Sequence, residues 1–285
     1  MTAPGSDALG IPATGLPVLR DLIHERTGIF YDEDRREMLA ERVAPLVVAR
    51  GFRSFLDLYY LLKYDEGGSC EGWSQVLDAL SVPETYFWRE IDQIQAVAHR
   101  IVPELARRSR APIRIWSAPC ATGEEPLTIA IALEEAGWFD RAWIEIHAGD
   151  GSPTAIAKAR AGRYRQRSMR VLPPELREKY FVAEGDAFTP RPELSRRIST
   201  WSVVNLMQPQ EIAPFARSPI VFCRNAFIYF SPQSVRRVVD HLAAEMPAPG
   251  YLCVGASESL LNVTTRFTLE EIDGAFVYVK RGLDD

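Results

Sequence analysis

Two adjacent carboxylates, Glu124 and Glu125, follow a run of small residues, Ser117, Ala118, Ala121, Thr122 and Gly123, and precede Pro126. Residues 113–116 alternate apolar and polar side chains like a short strand. Pro126 suits the first turn of a helix that residues 128–133 continue. A strand, a small-residue loop and a helix start is how open α/β sheets form a nucleotide crevice. Phosphate binding does not suit this one. It has one glycine rather than three, no lysine follows, and the paired glutamates repel a pyrophosphate. A ligand carrying a cation or hydroxyls suits it. S-adenosylmethionine offers a sulfonium, an ammonium and a ribose. An ordinary β–α turn fits the same spacing, so both readings stand.

A second candidate is Asp150, which ends an apparent strand over residues 143–150, 27 residues beyond Gly123. An acidic residue there grips ribose hydroxyls in Rossmann-like folds. It could equally cap the helix expected from Ser152. A third is Arg89, in the segment Ser-Val-Pro-Glu-Thr-Tyr-Phe-Trp-Arg-Glu over residues 81–90. Packing of a hinge accounts for Tyr86, Phe87 and Trp88, but not for Arg89. Cys70, Cys120, Cys223 and Cys253 are far apart, as free thiols would be. His24, His99, His147 and His241 are scattered, so no metal site is expected.

The elements that must position these groups follow from pattern. The chain has 285 residues, 47% hydrophobic and 25% charged, with net charge −5. That suits an ordinary globular protein and gives no general nucleic-acid footprint. No apolar run reaches membrane-spanning length and the N-terminus lacks a signal-peptide pattern, so a cytoplasmic protein without membrane insertion is expected. Residues 1–15, rich in Gly, Pro, Ala and Ser, read as a disordered tail. Residues 16–80 carry helical periodicity and no β signal. Asp32 or Asp34 and then Ser54 are placed to cap helices, Pro45 should bend one, and residues 67–69 form a loop. A hinge and linker helix fill residues 81–110.

From residue 111 to 285 strands and helices alternate, except for a small inserted β subdomain at about residues 163–199. There Pro190 and Pro192 confine their strand to an edge or make it irregular. Later strands are expected at residues 200–206, 219–225 and 250–255. Ser231-Pro232 starts a helix, and Asp273-Gly274 joins an antiparallel C-terminal hairpin.

The order of these pieces resembles the CheR family, S-adenosylmethionine-dependent methyltransferases that esterify glutamates of bacterial chemoreceptors. Four stretches carry the resemblance: Glu-Thr-Tyr-Phe-Trp-Arg-Glu at 84–90, Ile-Trp-Ser-Ala-Pro-Cys-Ala-Thr-Gly-Glu-Glu-Pro at 115–126, Val-Asn-Leu at 204–206, and Phe-Cys-Arg-Asn-Ala-Phe-Ile-Tyr-Phe at 222–230. The resemblance implies a Rossmann-like methyltransferase sheet with an antiparallel final hairpin and inserted β subdomain, preceded by an all-α N-terminal domain. It implies S-adenosyl-L-methionine as cofactor, S-adenosyl-L-homocysteine as product, and a chemoreceptor or other acidic protein as partner. A monomer is expected. The implied cofactor contacts are Thr85, Arg89, Glu125, Asp150, Asn205, Leu206, Arg224 and Asn225. Arg89 and Tyr229 lie near the transferred methyl, and Arg35, Arg36 and Arg42 engage substrate.

Three departures bear on that picture. Val82-Pro83 replaces a Thr-Asn pair whose amide would bond the cofactor. The stretch Val-Ala-Pro-Leu-Val-Val-Ala at 43–49 replaces an arginine-rich stretch of enteric members, weakening electrostatic steering. Pro190 and Pro192 lie in the subdomain that adds a receptor tail as an extra strand in some members, so no tight tail binding is expected.

Overall fold

The structure, a computed structural model, describes residues 11–64, 71–82 and 84–282. The N-terminal layer is helical: α1 (Leu16–Thr27), α2 (Arg36–Ala49), α3 (Phe55–Lys63) and α4 (Glu71–Leu80). Leu19, Ile23, Leu39, Val43, Val47, Phe55, Leu58, Leu62 and Val76 are fully buried between them. Much of the apolar middle of α2 therefore serves this core rather than a surface. Ser54 and Asp57 form a capping box on α3, with Ser54 N–H donating to Asp57 Oδ2 at 2.9 Å. Asp32 accepts from Arg35 N–H at 3.0 Å and so tightens the turn leading into α2, while Pro45 lies inside that helix. Most of the expected tail lies outside the described residues, but Ile11, within its range, is buried in the helical core. The expected loop at 67–69, Cys70 and Pro83 also lie outside them.

Gly28 ends α1 with φ of 77°, and a Cβ there would sit 2.7 Å from the Phe230 ring and 2.9 Å from Met207 Sδ. Only glycine permits both the backbone turn and this approach to the second layer. After the segment at 81–90, α5 (Ile91–Ala96) and α6 (Val102–Arg108) form one rod interrupted by a π turn at Val97–Ile101. The Trp138 indole N–H bonds the Ala98 carbonyl in that turn at 2.7 Å.

The α/β layer begins with β1 (Ile113–Ser117), α7 (Glu124–Glu135), β2 (Ile144–Asp150) and α8 (Pro153–Ala161). The inserted region follows, with β3 (Tyr164–Arg165), α9 (Pro174–Tyr180), β4 (Phe181–Glu184), β5 (Ala187–Pro190) and the short α10 (Pro192–Ser195). The main sheet resumes with β6 (Ile198–Val203), α11 (Pro209–Ala216) and β7 (Ile220–Phe222). It closes with α12 (Pro232–Glu245), β8 (Gly250–Cys253), β9 (Thr268–Ile272) and β10 (Ala275–Lys280). Ser231 caps α12 by accepting from Ser234 N–H.

The main sheet has the order β6-β2-β1-β7-β8-β10-β9, parallel up to β8 and antiparallel through the final two pairings. Numbered along the chain within this sheet, that is 3-2-1-4-5-7-6. The strand order reverses between β1 and β7, where open α/β sheets bind ligands beyond the carboxyl ends of their strands. Two expectations need correction. The sixth strand begins at Ile198, so residues 198 and 199 belong to the main sheet rather than to the insertion. The proline-bearing strand is the centre of the small sheet, whose order is β3-β5-β4. Pro190 is its last residue, opposite Phe181, and Pro192 lies beyond it in the first turn of α10. A terminal proline interrupts little of the ladder, and the outer edge of β4 carries no proline. Proline therefore does not block strand addition along β4.

Candidate functional site

A cleft of about 360 Å³ opens at the switch point, between the helical layer and the carboxyl ends of the sheet. Its volume lies within the range of small-molecule sites. Thr85, Arg89, Glu125, Asp150, Asn205, Leu206, Arg224, Asn225 and Tyr229 all line it, as do Arg35 and Arg42. Arg36 does not; it is exposed and sits 3.9 Å from Glu33.

The wall under β1 comes from Ala118, Pro119, Cys120 and Ala121, whose small side chains leave backbone at the surface. Asp150 locks this loop. Its Oδ2 accepts from Ala121 N–H at 2.8 Å and its Oδ1 from Ser152 N–H at 2.9 Å. Ser152, rather than Asp150, caps α8, accepting from Ala155 N–H. Burial raises the Asp150 carboxyl above its ordinary range, although both amides pull the other way.

The two glutamates of the loop part company. Glu125 lines the cleft, accepting from Ser117 Oγ at 2.7 Å. Glu124 points away and is buried, holding the Thr122 hydroxyl at 2.7 Å and the Ser168 hydroxyl at 2.8 Å. Burial pushes Glu124 up against the pull of these hydroxyls. A carboxyl raised on folding binds its proton more tightly in the native state, so stability falls as pH climbs above its ordinary value of 4.5. Glu124→Gln removes that loss. It is expected to stabilise the protein by on the order of 1 kcal/mol near neutral pH. The advantage should close as pH falls toward 4.5 in parallel melting curves.

On the far side, Arg224 is 1% exposed and runs beneath Arg89 and Glu90. Its Nη2 donates to the Arg89 carbonyl at 2.8 Å and lies 3.2 Å from Glu90 Oε2, while Nη1 stands 3.4 Å from Glu125 Oε2. Nε and Nη1 are buried without a hydrogen-bond partner. Burial works against ionised Glu90, but Arg224, the Asn225 amide and Ala256 N–H hold its carboxyl below the ordinary range. Burial raises Glu125 despite Arg224.

Sequence reasoning assigned no role to Glu258, which organises the turn after β7. It accepts from Gly255 N–H at 2.7 Å, Asn225 N–H at 2.8 Å and Phe227 N–H at 2.6 Å. Gly255 is required beside it, since a Cβ would stand 2.5 Å from Asn225 Nδ2. Trp88, Glu90, Ala121 and Asn225 all have positive φ, at 69°, 46°, 46° and 58°. Such backbone strain concentrates at functional sites, and these residues come from three separate loops around one cleft.

The hinge reading holds for Phe87, which is fully buried in edge-to-face contact with Tyr164 and Phe181 at 4.8 and 4.9 Å. Tyr86 and Trp88 are half-buried. Tyr86 carries Arg170 over its ring at 3.6 Å and Arg89 at 5.6 Å. Arg89 Nη1 also donates to the Glu84 carbonyl at 2.9 Å.

Asn205 lines the cleft, yet its side chain works as a strut. It donates to the Arg26 carbonyl at 2.8 Å and accepts from Met207 N–H at 3.0 Å. The helical layer is fastened again where Phe30 N–H donates to the Tyr229 carbonyl at 2.8 Å. On the other flank Asp78 of α4 accepts from Ser152 Oγ and from Thr154 N–H and Oγ1. These clamps let α1, α2 and α4 form one side of the cleft.

A parallel sheet with this strand order, an antiparallel final hairpin and a switch-point cleft with a small-residue loop and an acidic residue ending the second strand is the architecture of an S-adenosylmethionine-dependent methyltransferase. Residues 83–276 match the family model of the CheR methyltransferase SAM-binding domain, and residues 15–81 that of the CheR methyltransferase all-alpha domain. The chain belongs to the CheR methyltransferase family, and its cofactor is S-adenosylmethionine. It is 31% identical to chemotaxis protein methyltransferase 2 of Vibrio cholerae over 92% of this chain and 91% of that protein. It is 28% identical to chemotaxis protein methyltransferase 1 of Pseudomonas aeruginosa over 92% and 96%.

The cleft fits that cofactor. Its walls carry the acids Glu125 and Asp150 and the cation Arg224, the kinds of group that an ammonium, vicinal hydroxyls and a carboxylate call for.

Proposed function

We propose that the protein methylates glutamate side chains of a chemoreceptor or receptor-like signalling protein, working as a monomer in the cytoplasm. In this reading Asp150 holds the ribose, Glu125 and Arg224 the amino-acid end, and Leu206 packs against the base. Thr85 and Asn225 flank the same pocket. Bound S-adenosylmethionine supplies an electrophilic methyl on sulfur; the chain has to bind the acceptor, align it and exclude water.

The observation that carries the reading is the kind of side chain at the cleft mouth. Arg35, Arg42, Arg89 and Tyr229 offer cations and hydrogen-bond donors, and no histidine lines the cleft among the described residues. Glu125 and Asp150, the acids deeper in, are engaged by Ser117, Arg224 and backbone N–H groups, and the third acid of the lining, Glu84, is an exposed hinge residue that stays in contact with solvent. An acceptor that must lose a proton wants a free base. A carboxylate is already ionised near neutral pH and needs only donors that orient it without quenching it. Arg89 and Tyr229 are the two groups proposed to do so. Among the described residues no helix is long and apolar enough to cross a membrane.

The test is incubation with methyl-labelled S-adenosylmethionine and a chemoreceptor cytoplasmic fragment. Label that mild alkali releases as methanol is expected, because carboxyl methyl esters hydrolyse there. Alkali-stable label would point to an amine, phenol or thiol acceptor and overturn the assignment.

A further inference from the structure

The helical layer contributes to the cleft a tyrosine that none of the family motifs contains. Tyr31 is 7% exposed and lines the cleft beside Arg35 and Arg42. Its position is fixed by the antiparallel bridge between Ile29 and Phe230 and by the bond from Phe30 N–H to the Tyr229 carbonyl. Continued by one residue, that pairing brings Tyr31 alongside the short turn at Phe227–Tyr229. A tyrosine hydroxyl removed from bulk water ordinarily finds a partner. This one makes no hydrogen bond to any described residue, and it is not sealed in the core either. A residue more than nine-tenths buried, whose hydroxyl keeps accessible surface on the wall of the reacting cleft, is a contact waiting for a ligand.

We infer that Tyr31 is a substrate-contacting residue, its hydroxyl donating a hydrogen bond to the accepting carboxylate next to Tyr229. The inference rests on the reading of a carboxylate acceptor and extends it. The acceptor cradle is then shared between the two layers, with Tyr31 from the helices and Arg89 and Tyr229 from the α/β side. Burial raises the Tyr31 phenol above its ordinary value, opposed by Arg42 and Arg35, so at neutral pH it is protonated and a donor. Two phenolic donors are suited to a carboxylate nucleophile. Neither carries a full charge that would hold the attacking oxygen too tightly.

The test compares wild type with Tyr31→Phe, which deletes one oxygen and keeps the ring. The probes are labelled S-adenosylmethionine and a chemoreceptor cytoplasmic fragment. Cofactor affinity by titration calorimetry and melting temperature are expected to be unchanged. The kcat/KM for the fragment is expected to fall roughly 10- to 100-fold, as for loss of a hydrogen bond to a charged acceptor. Wild-type transfer that is absent or alkali-stable removes the carboxylate reading and this inference with it. Alkali-labile transfer at equal kcat/KM in both proteins overturns this inference alone. A parallel loss of cofactor affinity also overturns it, since the hydroxyl would then serve the cofactor.

Discussion

Arg89→Ala is expected to lower methyl transfer by roughly 10²- to 10³-fold, the size of effect seen when a preorganised donor is removed from a reacting centre. The arginine is held before any substrate arrives. Nη1 is tied to the Glu84 carbonyl, the guanidinium leans over Tyr86, and Tyr86 is pinned from its own side by Arg170. The remaining donors are therefore aimed at low entropic cost, which is the condition for orienting a carboxylate in line with a methyl. Cofactor affinity is expected to change less than about tenfold, because Glu125, Asp150 and Arg224 remain. Arg89→Lys keeps the charge but loses the planar fork, and is expected to recover only part of the rate. Steady-state kinetics on a receptor fragment, paired with calorimetry of cofactor binding, checks both. A wild-type rate in the alanine variant with cofactor bound would remove Arg89 from the reaction.

How much of this was legible in the chain depends on how local the cause is. The final hairpin is written in Asp273-Gly274, which take φ of 52° and 82° and turn β9 into β10. The capping box at Ser54 and Asp57 and the loop after β1 are equally local, each set by residues a few positions apart. The central place of β5 was not legible. It depends on β3 and β4 each pairing with β5, one on either side and β3 from beyond an intervening helix, and a proline at a strand end reads the same whether the strand is central or at an edge. Asn205 lines the cleft, but its engagement with Arg26, 179 positions away, exists only once the helical layer docks. Glu258 and Tyr31 were missed for the same reason. An acid after a strand and a tyrosine after a helix carry no signature until tertiary contact decides what they face.

Within the α/β layer, one buried side chain ties separate loops together in the same non-local way. Arg224 touches the hinge through the Arg89 carbonyl and Glu90, and the cofactor loop through Glu125. Removing it by Arg224→Met would leave two carboxylates facing one another across a space from which their shared cation has gone. Loss of one partner from a buried ionic network costs about 3–5 kcal/mol, so a large fall in melting temperature is expected near neutral pH. The pH dependence gives the signature. Arg224 is among the groups that hold Glu90 below its ordinary value of 4.5, so its contribution is present above 4.5 and fades as pH falls through the lower, folded value. Glu125, already raised by burial, loses the opposing pull of Arg224 and rises further. It then takes up a proton at higher pH in the variant than in the native protein. The deficit between variant and wild type should therefore shrink steadily on acidification. Pairing the change with Glu125→Gln should recover part of it, since the neutral amide no longer needs a cation. A deficit constant with pH would mean that Arg224 acts through packing alone, and the charge network would not be what joins the hinge to the cofactor loop.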